Sequence, residues 1–209
     1  MSIITGDIHG RIDKAKAFLA YKPNDPHVAL GDYLDSFSEP PERQLEVMRL
    51  LMESPAVLLF GNHELHYLSW PLFQFPGYNE PWADEFNQVL ESNINRFRPS
   101  VAVNGWLCTH AGGAPWLAVE NSIDELDCRF NAEWQAFLAD RAGGYRYKSI
   151  FTFDFMRSAP VPAIRQVHGH DEHIEPGFTS PVCVSLGCND PGTCWIFDTE
   201  TNEVKDIGV

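Results

Sequence analysis

Five short apolar runs in this chain each lead straight into an aspartate, histidine or asparagine, usually beside a glycine. Ile3-Ile4-Thr5 runs into Gly6-Asp7-Ile8-His9-Gly10, Val28-Ala29-Leu30 into Gly31-Asp32-Tyr33-Leu34-Asp35, and Val57 to Phe60 into Gly61-Asn62-His63-Glu64. Later, Trp106 to Thr109 meets His110-Ala111-Gly112-Gly113, and Arg165-Gln166-Val167 meets His168-Gly169-His170. Helical patterns over about Ile12–Tyr21 and Glu42–Glu53 separate the first three runs. Strands alternating with helices in this way build βαβ units and a largely parallel sheet. The carboxyl ends of strands in such a sheet form its ligand crevice, so residues spread from Asp7 to His170 are expected to converge in space. The glycines allow the sharp turns and close backbone approach this needs.

The rest of the chain extends the same architecture. Trp70 to Pro99 opens irregular and aromatic, with Trp70, Phe73, Phe75, Tyr78 and Trp82 among prolines, and continues as a helix from about Ala83 to Phe97. Val101–Val103 and Trp106–Thr109 read as a hairpin across Asn104-Gly105, a type I′ turn signal. Ser122 to Asp140 reads as a helix, with Ser122 as N-cap and Glu125 completing a capping box. Ile164–Val167, Val182–Leu186 and Cys194–Phe197 are strand-like; the last two are expected to pair antiparallel, the late strands forming a second sheet packed on the first. Neither repeat nor linker-like tract interrupts residues 1–209, which are read as a single domain.

Charge and composition narrow the function. Fifteen Lys and Arg against 29 Asp and Glu leave a formal charge of −14, which argues against a nucleic-acid groove or an anionic membrane surface as partner. A 44% hydrophobic and 12% aromatic content excludes disorder. Ser2-Ile3-Ile4-Thr5 follows Met1 without a secretory pattern, and no apolar run approaches membrane-spanning length. Five cysteines without a Cys-x-x-Cys pair suit reduced thiols and a cytoplasmic location. Cys183, Cys188 and Cys194 read as strand-core residues in preference to a zinc site.

Carboxylate, imidazole and amide oxygen without thiolate suit Mn²⁺, Fe²⁺ or Zn²⁺. Asp7 and His9, one residue apart, would point to the same side of an extended segment and grip one ion. Six ligands exceed what one catalytic ion with an open position takes, but fit two ions sharing a bridging carboxylate. Two divalent ions held by two aspartates leave a locally positive site, which would hold a phosphate despite the acidic chain.

In this order the blocks GD-x-HG, GD-x-x-D, GNHE, His-Ala-Gly and a final GH resemble the calcineurin-like metallophosphoesterases, most closely the phosphoprotein-phosphatase branch with its bacterial and phage members. The resemblance spans Ile3 to about Phe197. It implies an α/β fold of two mixed β-sheets sandwiched by helices, and hydrolysis of phosphomonoesters at a dinuclear metal site, with Mn²⁺ preferred and Fe²⁺ or Zn²⁺ as alternatives. It makes Asp7, His9 and Asp32 the ligands of one ion. Asp32 as the bridge, Asn62, His110 and His170 would hold the other. His63 matches the family's general acid, which protonates the leaving-group oxygen, and Asp35 the carboxylate that orients and charges it. An imidazolium beside two cations would otherwise lose its proton.

One departure stands out. The family's second block continues Asp-Arg-Gly, whereas Asp35 is followed by Ser36-Phe37, so the arginine that clamps phosphate is missing. Arg157 resembles an active-site arginine of bacterial and phage relatives and is assigned the role, with Arg11 as a weaker substitute. His168 is expected to be structural, His27 and His173 to lie at the surface. His66 stands three residues after His63, not the four that a zinc-protease signature needs. The aromatic segment 70–82 is read mainly as packing. The expected substrate is a phosphoprotein or small phosphoester. Two other readings are a diadenosine polyphosphate or phosphodiester hydrolase on the same metals, and a non-catalytic metal-bound interaction protein.

Overall fold

The computed structural model describes residues 1–69, 75–112, 122–143, 164–171, 175–187 and 191–209. Strands β1 (Ile3–Thr5), β2 (His27–Ala29), β3 (Val57–Leu59) and β4 (Phe97–Arg98) lie parallel in that order. Helices α1 (Ile12–Ala20), α2 (Pro41–Glu53), α3 (Asn62–Ser69) and α4 (Ala83–Ser92) lie between them in sequence. The second sheet holds β5 (Ser100–Val103), β6 (Trp106–Thr109), β7 (Gln166–His168), β8 (Gly177–Ser180) and β9 (Cys183–Ser185), in the spatial order β5-β6-β7-β9-β8. Helix α5 (Ile123–Ala139) packs on β5 and β6.

The three late strands do not all join the second sheet. β10 (Trp195–Asp198) lies antiparallel to β1 and carries β11 (Glu203–Asp206) on its outer edge. The expected antiparallel pair 182–186 with 194–197 is therefore wrong. β9 runs parallel to β7, with Val167 opposite Val184, and antiparallel to β8. A strand running antiparallel at the edge of a parallel sheet saturates β1 and needs no crossover helix.

Two apolar layers hold these parts together. Ile4, Val28, Leu30, Leu59 and Phe197 of the first sheet face Trp106, Cys108, Val167, Val184 and Leu186 of the second. On the other side of the first sheet, Ile3, Ala29 and Leu58 meet Phe18, Met48, Leu51, Leu65 and Phe86 from the helices, with Trp134 and Phe137 of α5. Asn104 (φ 50°) and Gly105 (φ 77°) form the expected primed turn, and Ser122 and Glu125 close the expected capping box. Cys108, Cys183 and Cys194 are buried thiols, Cys128 is exposed, and Cys188 lies outside the described residues. No helix among the described residues is long and apolar enough to cross a membrane.

Candidate metal centre

Every candidate ligand lies just beyond the carboxyl end of a parallel strand: Asp7 and His9 after β1, Asp32 after β2, Asn62 after β3, His110 after β6 and His170 after β7. The convergence read from the sequence is thus present, and it crosses from one sheet to the other. Among the candidate site residues, His9, Asp32, Asp35 and His170 have left-handed backbone, at φ 44°, 52°, 59° and 67°. That conformation costs a non-glycine residue about 1–2 kcal/mol, and here it re-aims four polar side chains toward one crevice. His9 therefore does not continue an extended segment from Asp7, as expected. The N–H groups of Ile8 and His9 instead donate to the Asp32 carbonyl oxygen at 3.0 and 2.8 Å, folding the first block onto the second.

Asp32 is at the centre. Its Oδ2 lies 3.2 Å from His110 Nε2 and 3.9 Å from both His9 Nε2 and His63 Nε2. His110 Nε2 in turn stands 2.9 Å from Asn62 Oδ1 and 3.2 Å from His170 Nδ1, and those last two atoms are 2.9 Å apart. The opposite ring nitrogens settle which atoms face inward. His110 Nδ1 donates to the Leu30 carbonyl oxygen at 3.0 Å, and His9 Nδ1 to that of Leu34 at 2.9 Å. Each ring thus turns its Nε2 toward Asp32, the arrangement by which backbone carbonyls orient metal-binding histidines. Oxygen and nitrogen atoms that converge this closely are joined either by a ring proton or by a cation. Ligands ~2.1 Å from one ion stand about 3.0–3.4 Å from each other in octahedral or tetrahedral geometry, close to the spacings seen here. The residues present fit divalent ions: among the described residues three groups converge, His9 with Asp32 and His63, Asp32 with His110 and His170, and Asp35 with His63 and His66.

Asp7 enters by a different route. The His170 N–H donates to its two carboxylate oxygens at 2.9 and 3.0 Å, and His110 Nδ1 is 3.9 Å from Oδ1. Beneath it, buried Lys14 donates from Nζ to the Asp7 carbonyl oxygen at 2.5 Å. Two glycines are dictated by these carboxylates: a Cβ on Gly61 would stand 2.2 Å from Asp32 Oδ1, and one on Gly169 2.3 Å from Asp7 Oδ1.

The electrostatics follow from burial and proximity. Burial alone would raise Asp32, but His110, His63 and His9 outweigh it and hold the carboxyl well below its ordinary range. Burial would lower His110 and His63, yet Asp32, with Asp7 for one and Asp35 for the other, holds each up to about 9. His170 is pushed down by burial and by His110.

Beside this centre, His63 Nδ1 donates to Asp35 Oδ2 at 2.9 Å, the expected pair. Three further residues play parts that the sequence reading did not assign. Buried Glu64 accepts from the N–H groups of Gly61, Asp32, Tyr33 and Leu34 at 2.7–3.1 Å, locking the ends of β2 and β3 together. Burial and the Asp32 charge push its carboxyl up to about 7 against those donors. His66 and Tyr67 both reach Asp35. The overlooked signal was helical spacing: residues 63, 66 and 67 are neighbours on one face of α3.

His168 is buried, donates from Nδ1 to the Gly169 carbonyl oxygen, and is pushed by burial down to about 4, as suits a structural histidine. His27, expected at the surface, is buried between the carbonyl oxygens of Tyr21 and Asp25 with its ring edge-on to Phe18. Arg11 pairs with Asp13 at 3.0 Å. Arg157, His173, Trp70 and Phe73 lie outside the described residues.

The profile of one family, described as calcineurin-like phosphoesterase, matches residues 2–197. A solved structure of a cold-active protein-tyrosine phosphatase from a psychrophilic Shewanella species superposes with a TM-score of 0.62 at 13% identity, covering 99% of this chain and 80% of that one. A metallophosphoesterase from Sphaerobacter thermophilus gives a TM-score of 0.49 at 19% identity, covering 100% and 87%. Comparison with the curated proteins gave no match.

Proposed function

The chain belongs to the calcineurin-like phosphoesterase family, hydrolases that act on phosphoester bonds with divalent metals, and we propose that it cleaves phosphomonoesters at a pair of ions bridged by Asp32. The observation that carries the reading is Asp32 Oδ2, which lies 3.2 Å from His110 Nε2 and 3.9 Å from His9 Nε2 and so belongs to both converging groups. We assign Asp7, His9 and Asp32 to one ion and Asp32, Asn62, His110 and His170 to the other, with Mn²⁺ first among candidates that include Fe²⁺ and Zn²⁺. Bound ions would supply Lewis-acid polarisation of the phosphoryl oxygens and neutralise their charge.

The chain's own groups supply the proton. With Nδ1 given to Asp35, His63 turns Nε2 toward the centre, where it faces Asp32 Oδ2 at 3.9 Å. Without metal, the charges of Asp32 and Asp35 raise the ring to about 9; with Asp32 bound to the ions, the charge of Asp35 would be the one left to hold the proton. His63 can therefore donate the Nε2 proton to a leaving-group oxygen and remain anchored through Nδ1. Arg157 is retained as the phosphate clamp; Arg157→Ala should lower kcat/KM. The single domain of 1–209 and a cytoplasmic setting remain part of the proposal.

A phosphorylated protein is the substrate class to test first, because the Shewanella structure of like fold is by name a protein-tyrosine phosphatase. The dinucleoside polyphosphate reading rests on one specific observation. Phe37, where the family pattern has the glycine of Asp-Arg-Gly, is 79% exposed and offers a face on which a base could stack. A panel of phosphopeptides, diadenosine polyphosphates and phosphodiesters assayed with Mn²⁺ separates the two.

A further inference from the structure

Asp35 is served by more than its expected partner. His63 Nδ1 donates to its Oδ2 at 2.9 Å and the Tyr67 hydroxyl donates to Oδ1, while His66 Nε2 lies 2.6 Å from Oδ2 at an angle that makes no hydrogen bond. Both carboxylate oxygens are thus held, in a residue only 3% exposed. Neither His66 nor Tyr67 ends there. His66 Nδ1 accepts from the Phe75 N–H at 3.4 Å, which places the ring's proton on Nε2. The Tyr67 oxygen accepts from the Asn79 N–H at 3.0 Å. Tyr78 stacks on Tyr67 at 5.2 Å and stands edge-on to His66 at 5.0 Å. Between these anchors Gly77, at φ 97°, lies so close that a Cβ there would stand 3.0 Å from Asp35 Cβ and 3.6 Å from His63 Cε1.

A lone carboxylate can swing about its χ2 angle, and a histidine hanging from it swings too. With Oδ1 held by a phenol and Oδ2 packed against a second imidazole, the carboxylate plane is restricted to one orientation, and so is the His63 ring. Building on the general-acid reading above, we propose that His66 and Tyr67 are positioning residues that hold Asp35, and through it His63, in the proton-donating pose, with segment 75–79 clamping the pair from above. Neither side chain touches Asp7, His9, Asp32, Asn62, His110 or His170 in any contact described above, so their contribution falls on proton delivery.

Leaving-group dependence isolates that contribution. An alkyl phosphate needs its departing oxygen protonated, whereas p-nitrophenolate leaves readily without help. The experiment measures kcat on both esters with Mn²⁺ for the wild type, Tyr67→Phe, His66→Leu, His66→Gln and His63→Ala, together with bound Mn²⁺ and Tm. Tyr67→Phe and His66→Leu are expected to lose roughly tenfold more on the alkyl ester than on the nitrophenyl ester, a fraction of the ~10²–10⁴-fold that general acid catalysis supplies. Bound Mn²⁺ stays at the wild-type level. His66→Gln, which keeps an N–H donor, regains part of the loss. Equal losses on both esters, or none, in Tyr67→Phe would overturn the inference while His63→Ala still discriminates. If His63→Ala itself does not discriminate, the general-acid reading fails and takes this inference with it.

Discussion

His110 Nε2 stands 3.2 Å from Asp32 Oδ2 while the same ring's Nδ1 is held by the Leu30 carbonyl oxygen at 3.0 Å. A buried carboxylate this close to a buried imidazole attracts whatever cation is present. In the metal-free protein that cation is a proton; in the loaded protein the same lone pair would face an ion.

The metal-free protein should therefore lose stability in mildly alkaline solution. His110 and His63 are held up to about 9, above their ordinary 6.5. The stability they contribute is complete below about pH 6.5 and fades as the pH rises through about 9. Thermal unfolding in chelator across this range should show a falling Tm, and Mn²⁺ affinity should rise over the same interval as the competing protons leave. A flat Tm and a pH-independent affinity would show that the rings are neutral in the metal-free fold.

Glu64 offers a test of how the crevice is built. Its two oxygens accept four backbone N–H groups, and Glu64→Gln turns one of those acceptors into a donor that faces other donors. Leaving buried N–H groups unmatched should cost about 1–3 kcal/mol in urea unfolding. Stability equal to the wild type would mean the loops ending β2 and β3 hold without it.

His63→Ala should lower turnover of an alkyl phosphate roughly 10²–10⁴-fold and leave metal content unchanged. Loss of metal would reassign His63 to the group it forms with His9 and Asp32. In Asp35→Asn the imidazole loses a charge that raises it, so the alkaline limb of the kcat/KM profile should move to lower pH. An unmoved limb would detach Asp35 from the acid.

Gly61→Ala would press a methyl onto Asp32 Oδ1, 2.2 Å away. Overpacking of this kind costs about 1–3 kcal/mol, and because the displaced atom belongs to the central carboxylate, Mn²⁺ affinity should fall with Tm. Retained affinity would show that the carboxylate can shift without cost to the site.

The strand ends were legible because each couples a short apolar run to a polar side chain, usually beside a glycine, a combination that local sequence displays in full. What local sequence does not display is pairing over distance. β10 and Val182–Leu186 both read as strands, but only burial against β1 decides that the first leaves the second sheet. β11 is Glu-Val-Lys-Asp, an edge strand whose charged residues hide its strand character. Helix α3 was hidden because Asn62 and His63 look like the continuation of a turn, and with it went the face that presents His66 and Tyr67 to Asp35.

Metal stoichiometry tests the central claim most directly. Chelator-treated protein titrated with Mn²⁺ and assayed in parallel on p-nitrophenyl phosphate should bind two ions per chain, with activity appearing as the second site fills. Asp32→Asn should weaken both sites and abolish turnover. Binding of a single ion at full activity, or two undisturbed sites in Asp32→Asn, would contradict a pair of metals bridged by Asp32.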